Sequence, residues 1–363
     1  MSIRQWLGST YKGLISQSRD IGYQSIHYAN GVYVAVGNQK GYPPFVERPT
    51  LSGQVPPCAG CSWSADGVNW TDAVLPFADY FYSYTAVAGL PNGRWVAAAL
   101  WTKSLTETYA RIAVSTDNAK TWATEAAGSP SNNYGGTIRS IAVGNNRIFL
   151  TGQNNANVVW VHPTATGFLS NGTTRVIDSP GFVASAYGGN DYFMFTTPQR
   201  VETFNAGAWT TYKPVAYGND TNLPANWRDP RSLLIARSGV LGTAAAPTAW
   251  ALVGIDSPFV SAITRDIWSS ASPNLGQTWV KRATLPAITA TTDYWELAYN
   301  DRVLAAIGDG ILVVTKDGTN WTRIDIPAGR WRGVASDGND FVCVSQSGDR
   351  MKISGAGIDG RIG

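Results

Sequence analysis

Short apolar runs separated by turn residues recur along the whole chain, and no long segment keeps a helical period. The stretch YQSIHYANGVYVAVG, residues 23–37, sets the pattern. An apolar strand reaches Tyr28, Asn30-Gly31 turns the chain, and a second strand runs from Val32 to Val36. Asn-Gly between two apolar runs is a strong hairpin signal, because both residues accept positive φ. Related strand pairs stand at 84–100, 138–152, 182–196, 294–308 and 331–345, with a weaker one between 233 and 254. These are seven units. From Gly31 to Asn339 the mean step is about 51 residues, near the length of a short four-stranded repeat. Parallel α/β folds need helical segments of about 10–15 residues between strands, and the chain has none.

The second strand of several units is rich in small residues: VAV at 34–36, VAAA at 96–99 and LAA at 304–306. Small side chains suit strands crowded near a common axis. The expectation is therefore an all-β fold, a seven-bladed β-propeller with four-stranded antiparallel blades, formed by residues 1–363 as one domain. A propeller must close its ring, since an open sheet leaves an unpaired edge. The C-terminal segment supplies only three strands, near 331–335, 340–345 and 350–354. Ser2 to Leu7 are expected to add the fourth, as an outer strand on the last blade.

A second kind of turn follows several of the pairs. It reads SADGVNW at 64–70, STDNAKTW at 115–122, SPNLGQTW at 272–279 and TKDGTNW at 315–321, with a degenerate form, FNAGAW, at 204–209. Ser or Thr at the first position and Asp or Asn at the third can accept hydrogen bonds from turn amides. Gly supplies a positive φ, and Trp opens the next strand with a large apolar surface. In SPNLGQTW, Asn274 stands where the other turns have Asp, and its neutral side chain is expected to cap the turn equally well. These segments resemble the Asp-box, the S-x-D-x-G-x-T-W repeat of sialidase-like β-propellers. The shorter form is similar to a variant found in phage and bacterial propellers. The resemblance implies a structural turn at the blade periphery, remote from any ligand site.

Composition supports a large apolar core, with 15 Trp, 16 Tyr and 11 Phe, and 38 Gly for turns. Net charge is +3 and no Lys/Arg run occurs, which gives no footprint for nucleic acid. No stretch of 18 apolar residues exists to span a membrane, and the N-terminus lacks the apolar run of a signal peptide. Cys58 and Cys61 form a lone C-x-x-C in a Pro/Gly-rich loop, and Cys343 sits in an apolar strand. An isolated C-x-x-C is two ligands short of a zinc site, and neither His27 nor His162 completes one. A local Cys58–Cys61 disulfide stays open. No metal and no cofactor is expected.

Sialidase chemistry, as the resemblance implies it, needs an arginine triad, a Tyr activated by Glu and an acid/base Asp. The early Arg-Ile-Pro pattern is absent, and Arg323-Ile324 is followed by Asp325. The expected reading is non-enzymatic, with no catalytic residue assigned. Glu296, in YWELAY, is a candidate ligand contact. Strand alternation offers it Tyr294 as partner, and a charge pair with Arg302 is the structural alternative. Long segments at 39–61 and 203–230 suggest contact loops over a rigid scaffold. Trp209, Tyr212, Tyr217 and Trp227 in the second are candidate ligand or partner contacts, and blade packing is the competing role. The low-charge, unevenly diverged repeats resemble propeller proteins of tailed-phage particles. The expectation is a virion structural or tail-associated protein, made in host cytoplasm, that contacts other virion proteins or itself as a homo-oligomer, with a host receptor or surface glycan as a further candidate partner. The alternative is a carbohydrate-binding or glycan-cleaving bacterial propeller, cytoplasmic or extracellular.

Overall fold

Each apolar strand pair of the sequence forms the inner half of an antiparallel sheet. The computed structural model describes residues 11–17, 21–39, 60–76, 82–102, 108–124, 134–135, 137–144, 147–153, 158–163, 173–176, 184–197, 200–212, 223, 227–254, 262–263, 265–286, 288–289 and 295–355. Counted from the inside outwards, sheet I holds Ile21–Ala29, Val32–Gln39, Gly60–Ser64 and Thr71–Val74. Sheet II holds Tyr82–Gly89, Trp95–Thr102 and Thr108–Ser115, then Ala123–Thr124 and Tyr134–Gly135. Sheet III holds Thr137–Val143, Arg147–Gln153, Val158–Pro163 and Thr173–Val176. Sheet IV holds Ala184–Gly189, Tyr192–Thr197, Arg200–Asn205 and Ala208–Tyr212. Sheet V holds Arg228–Ala236, Thr248–Gly254, Arg265–Ala271 and Val280–Thr284. Sheet VI holds Glu296–Tyr299, Leu304–Gly308, Ile311–Thr315 and Thr322–Asp325. Sheet VII holds Trp331–Ser336, Asp340–Ser345, Asp349–Ser354 and, from the other end of the chain, Tyr11–Gln17.

The fold is thus an all-β propeller of mostly four-stranded antiparallel sheets. Six sheets have four strands, and the expectation of four in every one is corrected at sheet II, which has five. There the outer edge of Thr108–Ser115 is covered in two pieces. Ala123–Thr124 lies beside Val114 and Ala113, and Tyr134–Gly135 lies beside Ala110 and Tyr109. A two-stranded ribbon, Ala262–Ile263 with Ile288–Thr289, stands apart from the sheets. The expected loop at 203–230 is corrected as well, because residues up to Tyr212 are strand.

The first strand of each sheet packs on the first strand of the next, and Ile21–Ala29 meets both Tyr82–Gly89 and Trp331–Ser336, so the circle closes. The small residues of the second strands are fully buried where sheets crowd: Ala97, Ala98, Ala99, Ala305 and Ala306 are all 0% exposed. The core is not central. It is divided among the seams between neighbouring sheets, as in the III/IV seam, where Phe149 lies 4.5 Å from Phe193 and 5.0 Å from Phe195. Each fully buried side chain of this kind contributes about 1.5–3 kcal/mol relative to exposure. Sheets therefore depend on their neighbours for stability.

Polar ties cross the seams as well. At the I/II seam, His27 Nδ1 accepts the Gly89 amide at 3.2 Å, and burial pushes its pKa down to about 4, so it stays neutral. At the VII/I seam, Arg350 is 5% exposed and reaches into sheet I. It donates to the Tyr23 hydroxyl, to Ser62 Oγ at 2.9 Å and to Asp72 Oδ1 at 3.2 Å, and its guanidinium lies over the Trp70 ring at 4.9 Å. Beside it, Lys352 Nζ donates to the Asp66 carbonyl at 2.9 Å.

The fourth strand of sheet VII is Tyr11–Gln17, with Tyr11 opposite Ile353 and Gln17 opposite Asp349. The strand expected at Ser2–Leu7 lies outside the described residues. Cys58 also lies outside them, while Cys61 and Cys343 are buried strand residues whose thiols burial pushes up.

Candidate functional site

The four Trp turns all join the third strand of a sheet to its outer strand, and those of sheets I, II and VI are built alike. In sheet I, the Gly67 amide donates to Ser64 Oγ at 2.9 Å, and the Val68 and Asn69 amides donate to Asp66 Oδ1, both at 2.8 Å. In sheet II, Ala119 donates to Ser115 Oγ at 3.0 Å, and Lys120 and Thr121 donate to Asp117 Oδ1 at 3.1 and 2.9 Å. In sheet VI, Gly318 donates to Thr315 Oγ1 at 2.9 Å, and Thr319 and Asn320 donate to Asp317 Oδ1, both at 2.7 Å. Those amides hold the Asp317 carboxyl well below the usual carboxylate range. A Cβ on Gly318, whose φ is +73°, would overlap the Trp250 ring of sheet V. The turns are spacers between sheets, and their acids are spent on their own backbone.

SPNLGQTW departs from the register read in the sequence. The hydroxyl that accepts the Gly276 amide, at 2.7 Å, belongs to Ser270, not Ser272. The two amides that elsewhere bind Asp go instead to the backbone carbonyl of Asn274, from Gln277 at 2.9 Å and Thr278 at 3.2 Å. The expectation that the Asn274 side chain caps the turn is therefore corrected: a peptide oxygen takes the place of the carboxylate. Trp279 keeps its role and donates Nε1 to the Gly276 carbonyl at 3.0 Å. Ser270→Ala is expected to cost about 1–3 kcal/mol in chemical denaturation, because it strands the buried Gly276 amide. Ser272→Ala, at an exposed position, stays within about 0.5 kcal/mol. Equal effects would return the role to Ser272.

The opposite end of the ring is chemically different. In an antiparallel meander, the start of the first strand, the second-to-third connection and the link to the next sheet share one end. The Trp turns and inner hairpin tips share the other. Near the start of each first strand stands one equivalent position. Its predecessor is buried in every sheet: Tyr23, Tyr84, Ile138, Ala184, Pro230, Trp295 and Trp331. The position itself retains solvent exposure in every sheet. It is Gln24 in sheet I, Thr85 in II, Arg139 in III and Ser185 in IV. In the remaining sheets it is Arg231, Glu296 and Arg332. In five of the seven it falls at a break in register: Tyr23/Ser25, Tyr84/Ala86, Ile138/Ser140, Pro230/Ser232 and Trp331/Gly333. A bulge at this point re-aims a side chain that would otherwise enter a seam. These positions retain their exposure at the end of the ring away from the Trp turns.

Several members are fixed by neighbours. Glu296 Oε1 accepts Ser232 Oγ at 2.9 Å, and the same oxygen of Ser232 accepts the Leu297 amide at 3.1 Å. Arg332 Nη2 donates to Gln346 Oε1 at 3.1 Å, and Gln24 Nε2 to Asn38 Oδ1 at 3.3 Å. Ser185 Oγ lies 2.8 Å from Ser140 Oγ of sheet III. Glu296 was the one member singled out in the sequence. Tyr294, its expected partner, lies outside the described residues, and Arg302 lies in the turn at the far end of Glu296's own strand. The other members were legible had the seven strand starts been aligned on their buried residue, as YQS, YTA, IRS, ASA, PRS, WEL and WRG.

The aromatic candidates stand elsewhere. Trp227 is fully buried and packs on Trp279 at 5.0 Å, and Tyr212 is partly buried against the same IV/V seam. Trp209 lies 5.3 Å from both Phe195 and Phe204 in the III/IV seam. Tyr217 lies outside the described residues. The structure brings none of the three described aromatics to Glu296. Among the described residues, no group of three or more metal-ligating side chains occurs, and no helix is long and apolar enough to cross a membrane.

No family model matches the chain, and no curated protein sequence matches it. Solved structures do. Virginiamycin B lyase from Staphylococcus aureus is similar over 95% of this chain and 98% of its own, at 13% identity and a TM-score of 0.58. A catalytically inactive form of that lyase with quinupristin gives 14% identity, with the same coverage and TM-score. The extracellular domain of BT4673 from B. thetaiotaomicron is similar over 94% of this chain and 40% of its own, at 10% identity and a TM-score of 0.58. At these identities the likeness carries the fold, a β-propeller. It also corrects the expectation of a virion or tail protein, because these neighbours are a bacterial enzyme and a bacterial extracellular domain.

Proposed function

We propose that the protein is a carbohydrate-binding propeller of the bacterial extracellular kind, and that it binds through the polar ring of the axial opening without cleaving its ligand. With the split outer strand of sheet II counted once, the propeller has seven blades in one domain, and its Trp turns are Asp-boxes. One observation carries the reading. Seven equivalent positions present an amide, two hydroxyls, three guanidiniums and a carboxylate to one opening, on the end away from the boxes. Sugar hydroxyls both donate and accept, and a mixed ring of this kind offers partners for both. The extracellular domain of BT4673 shares the fold and supports the setting.

A glycan array with the full chain tests the proposal, followed by titration of the best ligand. Gln24→Trp, which replaces the amide by a bulky ring at one of the seven positions, is expected to abolish binding while the protein melts as a folded propeller. Thr319→Trp, in a box at the other end, is expected to leave affinity within about twofold. Binding that survives Gln24→Trp overturns the site, and glycan cleavage in the same samples overturns the non-catalytic reading.

A further inference from the structure

We propose that Asn92 is a site of spontaneous covalent modification, converting through a cyclic succinimide to aspartate and isoaspartate, and that hydrogen bonds hold back the other described sites of the same chemistry. The inference is independent of the carbohydrate reading. The reaction favours an Asn or Asp followed by Gly, because a glycine amide has no Cβ beside it to block approach to the side-chain carbonyl. The chain has three Asn-Gly and five Asp-Gly pairs, of which Asn171-Gly172 and Asp359-Gly360 lie outside the described residues. The other six divide five to one. Asp66 and Asp317 accept the amides of their own turns. Asp337 Oδ1 accepts the Asn339 and Asp340 amides at 2.8 and 2.7 Å, and Asp309 Oδ1 the Gly329 amide at 2.9 Å. Asn30 donates Nδ2 to the Leu90 carbonyl at 2.6 Å, which pins its side chain across the I/II seam. Asn92, in the tip between Tyr82–Gly89 and Trp95–Thr102, is exposed, and its side chain has no hydrogen-bond partner among the described residues.

In water the Gly93 amide nitrogen gives up its proton to hydroxide and attacks Asn92 Cγ. A C–N bond forms, the Cγ–Nδ2 bond breaks, and Nδ2 leaves as ammonia with a proton taken from water, which regenerates hydroxide. Water then opens the five-membered ring at either carbonyl, giving aspartate or an isoaspartyl linkage. The net reaction consumes one water and releases one ammonia, with no oxidant or reductant. An Asn side chain tied elsewhere must first break its hydrogen bond, and an ionised Asp carboxylate is a poor electrophile, so the five held sites are slow. The turn suits Asn-Gly for its own reasons, with φ of 63° at Asn92 and 73° at Gly93. Replacing either residue to avoid the reaction would strain it. The two products differ in consequence. The Leu90 amide donates to the Arg94 carbonyl at 2.8 Å, and the Asn118 amide of the sheet II Trp turn donates to the Gly93 carbonyl at 2.9 Å. Aspartate keeps this backbone, whereas isoaspartate inserts a methylene between residues 92 and 93 and shifts both bonds.

Peptide mapping by mass spectrometry tests this on the full chain, incubated in mildly alkaline buffer both folded and unfolded in urea. Each converted Asn gains about one mass unit, and isoaspartate-specific fragmentation separates the two products. In the folded chain Asn92 is expected to convert at least fivefold faster than Asn30. In urea the two rates are expected to converge, because the contact of Asn30 with Leu90 is lost. The rate at Asn92 is expected to rise with pH, since the attacking nitrogen must lose its proton. A smaller ratio in the folded chain overturns the proposal. So does conversion at Asn92 only in urea, or isoaspartate at any of the four described Asp-Gly pairs ahead of Asn92.

Discussion

Deletion of residues 1–17 is expected to open the ring and lower stability by several kcal/mol. Asp349–Ser354 would lose its partner along the pairs Tyr11–Ile353, Leu14–Met351, Ser16–Arg350 and Gln17–Asp349. Each backbone hydrogen bond lost contributes about 1 kcal/mol net. The effect spreads beyond one edge, because every core cluster lies at a seam between two sheets. The cluster of Val334, Phe341, Cys343, Met351 and Ile353 is shared with sheet VI, and that of Val342 and Val344 with sheet I. Sheet VII thus supports both neighbours, and fraying its outer strand loosens two seams. An exposed edge is also a template for pairing with other chains. The shortened protein is therefore expected to melt at least 10 °C lower and to aggregate on heating. A synthetic peptide of residues 11–17, added in excess, is expected to restore part of the melting temperature by taking the vacant edge. A deletion that melts within 2 °C of the full chain would show that the propeller does not depend on closure by this strand.

The fold was legible because two signals repeat. Asn-Gly turns between apolar runs, as at Asn30-Gly31, mark the inner hairpins, and both residues do take positive φ, 52° and 77°. The Trp turns mark the third-to-fourth connections and show the same hydrogen bonds in sheets I, II and VI. Where a turn lengthens, the pattern misleads. In sheet V a hydroxyl two residues earlier, on Ser270, does the work, and a string that begins at Ser272 hides it. Tyr11–Gln17, which pairs with Asp349–Ser354, carries no strong alternation of its own, and Ser2–Leu7, where the sequence points to a closing strand, lies outside the described residues. The split edge of sheet II followed from residues with no strand pattern.

The candidate site was far less legible, for a physical reason. Conspicuous aromatics drew attention to Trp209 and Trp227, yet large apolar rings are what seams between flat sheets require. Burial claims them first. The ring positions are single polar residues following a buried one, and the break in register at five of them leaves no mark in hydrophobic alternation. Glu296 stood out only as a charge within an apolar strand. Its importance comes from six equivalents in other sheets, and these are recognised once the strands are set in register. The two ends of the propeller therefore differ: Trp turns that space the sheets at one end, and a set of equivalent polar positions at the other.

Arg350→Met is expected to cost about 2–4 kcal/mol, the second large effect, and to do so without touching the opening. Arg350 joins sheet VII to sheet I through the Tyr23 hydroxyl, Ser62 Oγ and Asp72 Oδ1. Ser62 Oγ also donates to Asp72 at 2.5 Å and lies 2.8 Å from the Tyr23 hydroxyl, so the four groups form one network. Burial raises the Tyr23 phenol above its ordinary pKa, while Arg350 pulls it the other way. Met fills most of the volume of the Arg stem but offers no donor. Tyr23, which is fully buried, and Ser62 would then keep polar oxygens with fewer partners, and leaving such groups unsatisfied costs more than the bond itself contributes. Asp72 is 42% exposed and recovers part of its loss from water, which holds the total below that of a fully buried pair. Tyr23→Phe alone is expected to cost about 1 kcal/mol. Combined with Arg350→Met it should add less than the sum, because both changes break the same contact. Denaturant titration of the two single variants and the double variant measures the coupling. Strict additivity, or an Arg350→Met loss under 0.5 kcal/mol, would show that apolar packing alone holds the VII/I seam.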